Sequence, residues 1–138
     1  MRRSHHWHAP LYDVCGGKHT TTIYFSHPMH TYGSRQAREW KKLIEKYMEE
    51  GDALIDPEEL IVPSNYIGAV GEMLYFVEQA RRADIVICCT DNPERLSNGI
   101  ALEANQALKK VLLYDNTFYD FKLEGTKIIE KKPIDFSV

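Results

Sequence analysis

Apolar positions along the chain fall into two alternating registers, short runs and helically spaced stripes. Thr21 to Ser26 is rich in β-branched and aromatic residues and stops at His27-Pro28, which predicts a first strand. From Ser34, a residue suited to cap a helix, Ala37, Trp40, Leu43, Ile44, Tyr47 and Met48 recur at helical spacing until Gly51. The opposite face carries Arg38, Lys41, Lys42, Glu45 and Glu49 and reads as solvated. Ala53-Leu54-Ile55, closed by Asp56-Pro57, predicts a second strand, and a loop runs on through Ser64. Ile67, Val70, Met73, Leu74, Val77 and Ala80 predict a second amphipathic helix ending at Arg82. Asp84 to Thr90 is nearly all apolar, as in a strand covered on both faces. A third helix is expected with Ala101, Ala104, Ala107 and Leu108 inward, then a fourth strand over Val111-Leu112-Leu113-Tyr114. Between Asp115 and Val138 only Lys127-Ile128-Ile129 reads as a further strand.

Strands alternating with helices through short connections imply a right-handed βαβ succession. The fold class expected is α/β: a single, doubly wound, flavodoxin-like domain over residues 20–138, its mainly parallel sheet covered by helices on both faces. Residues 1–19 lack periodicity and read as a flexible arm. His5, His6, His8, Cys15 and His19 lie there, but their spacing matches no zinc pattern, so no metal and no cofactor is expected. Gly16-Gly17-Lys18-His19-Thr20 precedes a strand instead of joining strand to helix, which excludes a phosphate loop.

Across 138 residues the net charge is −3 and unclustered, which argues against a nucleic-acid partner. No apolar stretch approaches membrane-spanning length, and the basic start has no hydrophobic segment behind it, so neither a membrane anchor nor a signal peptide is expected. Three cysteines, two of them adjacent at Cys88 and Cys89, do not make a disulfide framework, and a cytoplasmic location is the expectation. A phosphorelay receiver would need acidic residues where Ser26-His27 stand, and a dinucleotide fold a Gly-x-Gly-x-x-Gly turn that the chain lacks.

The remaining chemistry concentrates between Asp91 and Asn105, a loop from a strand's carboxyl end into a helix. Open α/β sheets place ligands there, where helix N–H groups are unpaired. Glu103 lies near that helix start, where the dipole favours a carboxylate, a potential nucleophile; Glu in such a place also serves stability alone.

Thr22-Ile23-Tyr24-Phe25, Arg35-Gln36, Ala83-Asp84-Ile85-Val86 and Ser97-Asn98-Gly99-Ile100-Ala101-Leu102-Glu103 together resemble the nucleoside 2-deoxyribosyltransferase family, including its deoxynucleoside 5′-monophosphate N-glycosidases. The resemblance implies an enzyme that cleaves the N-glycosidic bond of a nucleoside or its 5′-monophosphate through a glycosyl-Glu103 intermediate, resolved by water or an acceptor base. Tyr24 would orient Glu103. Ser97, where the transferases have Asp and the glycosidases Ser, would bind phosphate or sugar with Asn98 and Gly99. Ser26, His27, Ser34 and Arg35 would add phosphate contacts. The family's base-handling aspartate falls here at Phe76; Glu72, one turn earlier, or nearby Glu78 would have to substitute. Asn105 replaces a usual glycine, and Asp84 reads as structural. A homo-oligomer is implied, with a small-molecule nucleoside or nucleotide as partner. The alternatives are a non-catalytic nucleotide-binding module and a glycosidase acting on another nucleotide, such as a dinucleotide cofactor.

Overall fold

A computed structural model describes residues 20–136. The predicted arm and its histidines and Cys15 lie outside the described residues. Six strands form one sheet in the order β2-β1-β3-β4-β5-β6. The strands are β1 (Thr22–Ser26), β2 (Ala53–Ile55), β3 (Ile85–Cys89), β4 (Lys110–Tyr114), β5 (Thr117–Glu124) and β6 (Lys127–Pro133). Helices α1 (Arg35–Lys46), α2 (Gly68–Arg82) and α3 (Asn98–Gln106) connect the parallel strands. The first four strands pair in parallel in the doubly wound order 2-1-3-4, and β5 and β6 add antiparallel.

Strand alternation sorts the side chains into two layers. Ile23, Phe25, Ile85, Ile87, Cys89, Val111 and Leu113 face one way, onto Trp40 and Ile44 of α1. Tyr24, Val86, Cys88 and Leu112 face the other, onto Ala80 of α2 and Ile100, Ala101 and Ala104 of α3. Helix α1 begins where expected, because the Ser34 hydroxyl accepts from Ala37 N–H at 3.1 Å. Trp40 is buried among both sheet and tail residues of its layer. Trp40→Ala should therefore lower unfolding free energy by about 3–5 kcal/mol, read as a shift of the urea midpoint. A change under about 1 kcal/mol would mean that α1 does not anchor this layer. Asp84 is structural as expected: its carboxylate accepts from Thr22 N–H at 2.8 Å, tying the starts of β1 and β3.

Three expectations need correction. The segment after Tyr114 forms two strands where one was expected. Asp115 and Asn116 both take positive φ, 49° and 60°, and turn the chain into β5 as a tight hairpin. The apolar stripe of α2 is fully buried only at Ala80: Ile67, Val70 and Leu74 are 82%, 68% and 59% exposed. Leu108, expected inward, lies past the end of α3 and is exposed.

Candidate active site

The sheet's alternation brings Tyr24 and Ser26 to the α3 side of β1, two residues apart and pointing the same way. Glu103 comes down from α3 to meet both. The Tyr24 hydroxyl donates to Glu103 Oε2 at 2.8 Å, and the Ser26 hydroxyl donates to Oε1 at 2.5 Å. Each carboxylate oxygen thus has its own donor, which fixes the plane of the group. Burial pushes the Glu103 pKa above its ordinary value, against the pull of the two hydroxyl donors. Burial and the neighbouring carboxylate push the Tyr24 phenol far upward, so it stays a proton donor.

Glu103 occupies the sixth position of α3, beyond the first turn, so the helix dipole is not what steadies its charge. The direct donors take that role. Ser26 is accordingly spent on Glu103, not directed at a phosphate. His27, the first residue after β1, points to the opposite layer, where Phe25 lies. Its ring stacks on Phe25 with centroids 4.0 Å apart, and its two nitrogens meet Thr31 Oγ1 and Asp56 Oδ1, each at 3.1 Å. The His27 side chain is fully buried and both ring nitrogens are occupied, so the residue borders the cavity without a free ring nitrogen. Burial lowers its pKa, with Asp56 pulling the other way. Arg35 is 85% exposed, pairs with Glu39 and stands outside the pocket. Ser34 caps α1.

Above Glu103 opens a cavity of about 690 Å³. Its walls include His27, Met29, His30 and Tyr32 from the β1–α1 loop, Ala69, Glu72, Met73 and Phe76 from α2, and Asp91, Asn92, Arg95, Leu96 and Ser97 from the β3–α3 loop. Glu72 and Phe76 both reach it, whereas Glu78 is bound instead to the Tyr66 hydroxyl at 3.0 Å. Ser97 caps α3 by accepting from Ile100 N–H at 3.4 Å and remains exposed toward the cavity, with Gly99 beside it. Asn98 opens the helix but does not line the cavity. A volume of this size suits a ligand of nucleoside or nucleotide dimensions.

Sequence reasoning passed over Tyr32 and gave Asp91 and Arg95 no role within the loop it singled out, because loop residues carry no periodic signal. The β5–β6 hairpin holds that last loop: Leu96 N–H donates to Thr126 O, Ile128 N–H to Glu94 O, and Arg95 Nη1 to Thr126 Oγ1. A second cluster joins His27, Asp56 and Glu58, with ligand-type atoms within 4.8 Å of one another. The Lys41 ammonium, 3.3 Å from Asp56, already supplies the positive charge there, and Glu58 accepts from Gly33 N–H. The cluster is an internal ion-pair network that fastens the β1–α1 loop to the turn after β2. Among the described residues no helix is long and apolar enough to cross a membrane.

Comparison with known proteins gives little beyond this geometry. No protein-family model matches the chain, and no curated protein matches it. Among solved structures the chain is similar to a 2-desoxiribosyltransferase from Leishmania mexicana, with 15% identity over 80% of this chain and 79% of that one and a TM-score of 0.48.

Proposed function

We propose that the protein cleaves the N-glycosidic bond of a nucleoside or its 5′-monophosphate, with Glu103 as nucleophile. The observation that carries this reading is the partly buried carboxylate held at both oxygens by Tyr24 and Ser26 at the floor of a nucleoside-sized cavity. A Glu103 oxygen attacks C1′ as the C1′–N bond breaks, through an oxocarbenium-like transition state that the adjacent negative charge stabilises. Water or an acceptor base then displaces the glycosyl group and restores the carboxylate. Tyr24 and Ser26 hold the carboxylate's orientation by donating hydrogen bonds and transfer no proton to it.

Glu72 and Phe76 are assigned to the base, since α2 presents both to the cavity. The sugar's 5′ end, or its phosphate, is assigned to Ser97, Gly99 and the start of α3, where unpaired N–H groups favour an anion. Arg95, also in the cavity wall, supplies the positive charge there that Arg35 does not.

The test is chromatographic. Purified protein is incubated with nucleosides, 5′-monophosphates and a nicotinamide dinucleotide, with and without an acceptor base, and free or exchanged base is quantified. Release from nucleosides or monophosphates supports the reading, and exchange would mark a transferase. Nucleotide binding without any base release would instead establish a binding module, and release of nicotinamide alone a dinucleotide glycosidase.

The protein is further proposed to be a homo-oligomer that covers the α2 stripe with a second copy. Ile67, Val70 and Leu74 lie on one side of the helix and are exposed, as is Ile61 on the preceding loop, while Ala69, Glu72, Met73 and Phe76 face the cavity. Such a run of apolar surface is costly to leave in water. Light scattering after gel filtration should give a multiple of the chain mass, and Val70→Glu with Leu74→Glu should give the single-chain mass. A single-chain mass for the unaltered protein would refute the oligomer.

A further inference from the structure

Cleaving an N-glycosidic bond leaves the electron pair of that bond on the departing base, and a site that only attacks C1′ does nothing for it. Resting on the reading above, we propose that Tyr32 is a second catalytic residue, whose phenol donates a hydrogen bond to the nucleobase as it departs.

Three observations carry this. Tyr32 lines the same cavity as Glu103, the sugar-attacking group, and Glu72, assigned to the base, and both carboxylates act on its hydroxyl. That hydroxyl has no hydrogen-bond partner among the described residues, unlike Tyr24, whose hydroxyl is committed to Glu103. The third is how the ring is held. Tyr32 packs on His27 with ring centroids 4.8 Å apart. His27 is locked between Thr31 and Asp56, and Asp56 is held in turn by Lys41. The buried polar network thus has a task in this site: it makes a rigid backing for a phenol on an otherwise irregular loop. Rigid placement of a donor is what lets it act on charge that develops only in the transition state.

Burial and the surrounding carboxylates push the Tyr32 pKa up to about 12, so the phenol keeps its proton. The step balances without proton transfer from it. The Glu103 Oε–C1′ bond forms, the C1′–N bond breaks, and the pair passes to the base, whose ring nitrogen or carbonyl accepts the Tyr32 O–H. Solvent protonates the free base afterwards. The second step adds water at C1′, breaks the ester bond and returns the carboxylate, with the proton going to solvent.

The test compares 2′-deoxyguanosine with 7-methyl-2′-deoxyguanosine, whose base already carries the positive charge and departs neutral. Tyr32→Phe keeps the ring and its packing on His27. It should lower kcat for 2′-deoxyguanosine by about 10- to 100-fold and kcat for the 7-methyl substrate by less than about threefold. Equal losses on both substrates would overturn the role of Tyr32 and leave the glycosidase reading standing, since a misplaced loop or a binding contact affects both alike. If the unaltered protein releases no base from even the activated 7-methyl substrate, the glycosidase reading falls and this inference with it.

Discussion

Glu103→Gln removes base release: kcat/KM falls by about 1,000-fold or more, while the folded structure and ligand binding persist. The carboxamide has nearly the same size, and its oxygen still accepts from Tyr24 or Ser26, so the cavity floor keeps its shape. What it loses is the negative charge that makes the oxygen a nucleophile toward C1′. Burial already disfavours the ionised carboxylate at this position, so the neutral amide should leave the thermal midpoint unchanged or raised. The pair of measurements separates chemistry from folding. Retained base release in Glu103→Gln would remove the nucleophile, and a collapsed midpoint would show that Glu103 acts in stability.

The paired change Tyr24→Phe and Ser26→Ala has the next largest effect. Each hydroxyl makes a hydrogen bond to an ionised carboxylate, and losing one should reduce kcat/KM by about 10- to 100-fold. The two share one acceptor group, so the double variant need not show the product of the single losses. The pH profile gives the sharper reading. Glu103 must be ionised to attack, its pKa is raised by burial, and both hydroxyls pull it back down. Activity is therefore present above that raised pKa and is lost as pH falls through it. Removing either donor raises the pKa further and moves the acid limb of kcat/KM to higher pH. An acid limb that stays in place in both single variants would mean that these hydroxyls do not govern the charge on Glu103.

Much of this arrangement is legible in the sequence where strand and helix periods dominate. The near-continuous apolar run at Ile85 to Cys89 marks a central strand, and Ser34 and Ser97 mark two helix starts, because these signals are local. Glu103 stands out by its place near a helix start and Tyr24 by resemblance alone, and their contact spans 79 positions that no local pattern connects. Strand parity does hold usable information about the site. Tyr24 and Ser26 share a face, as a strand's period of two requires, and both meet Glu103. The β5 hairpin was missed because Asp115-Asn116 lacks the usual glycine, although both residue types tolerate positive φ. The α2 stripe misled for a different reason. Helical amphipathicity reports that a face avoids water, not which surface covers it.

The most direct test of the mechanism is to catch the glycosyl-enzyme. Protein quenched in acid during turnover and digested with trypsin yields the peptide Leu96 to Lys109, in which Glu103 is the one acidic side chain. Mass spectrometry should find this peptide carrying one sugar residue in the quenched sample and unmodified in Glu103→Gln. Steady base release with no sugar on that peptide, at quench times spanning the first turnover, would contradict a covalent Glu103 intermediate.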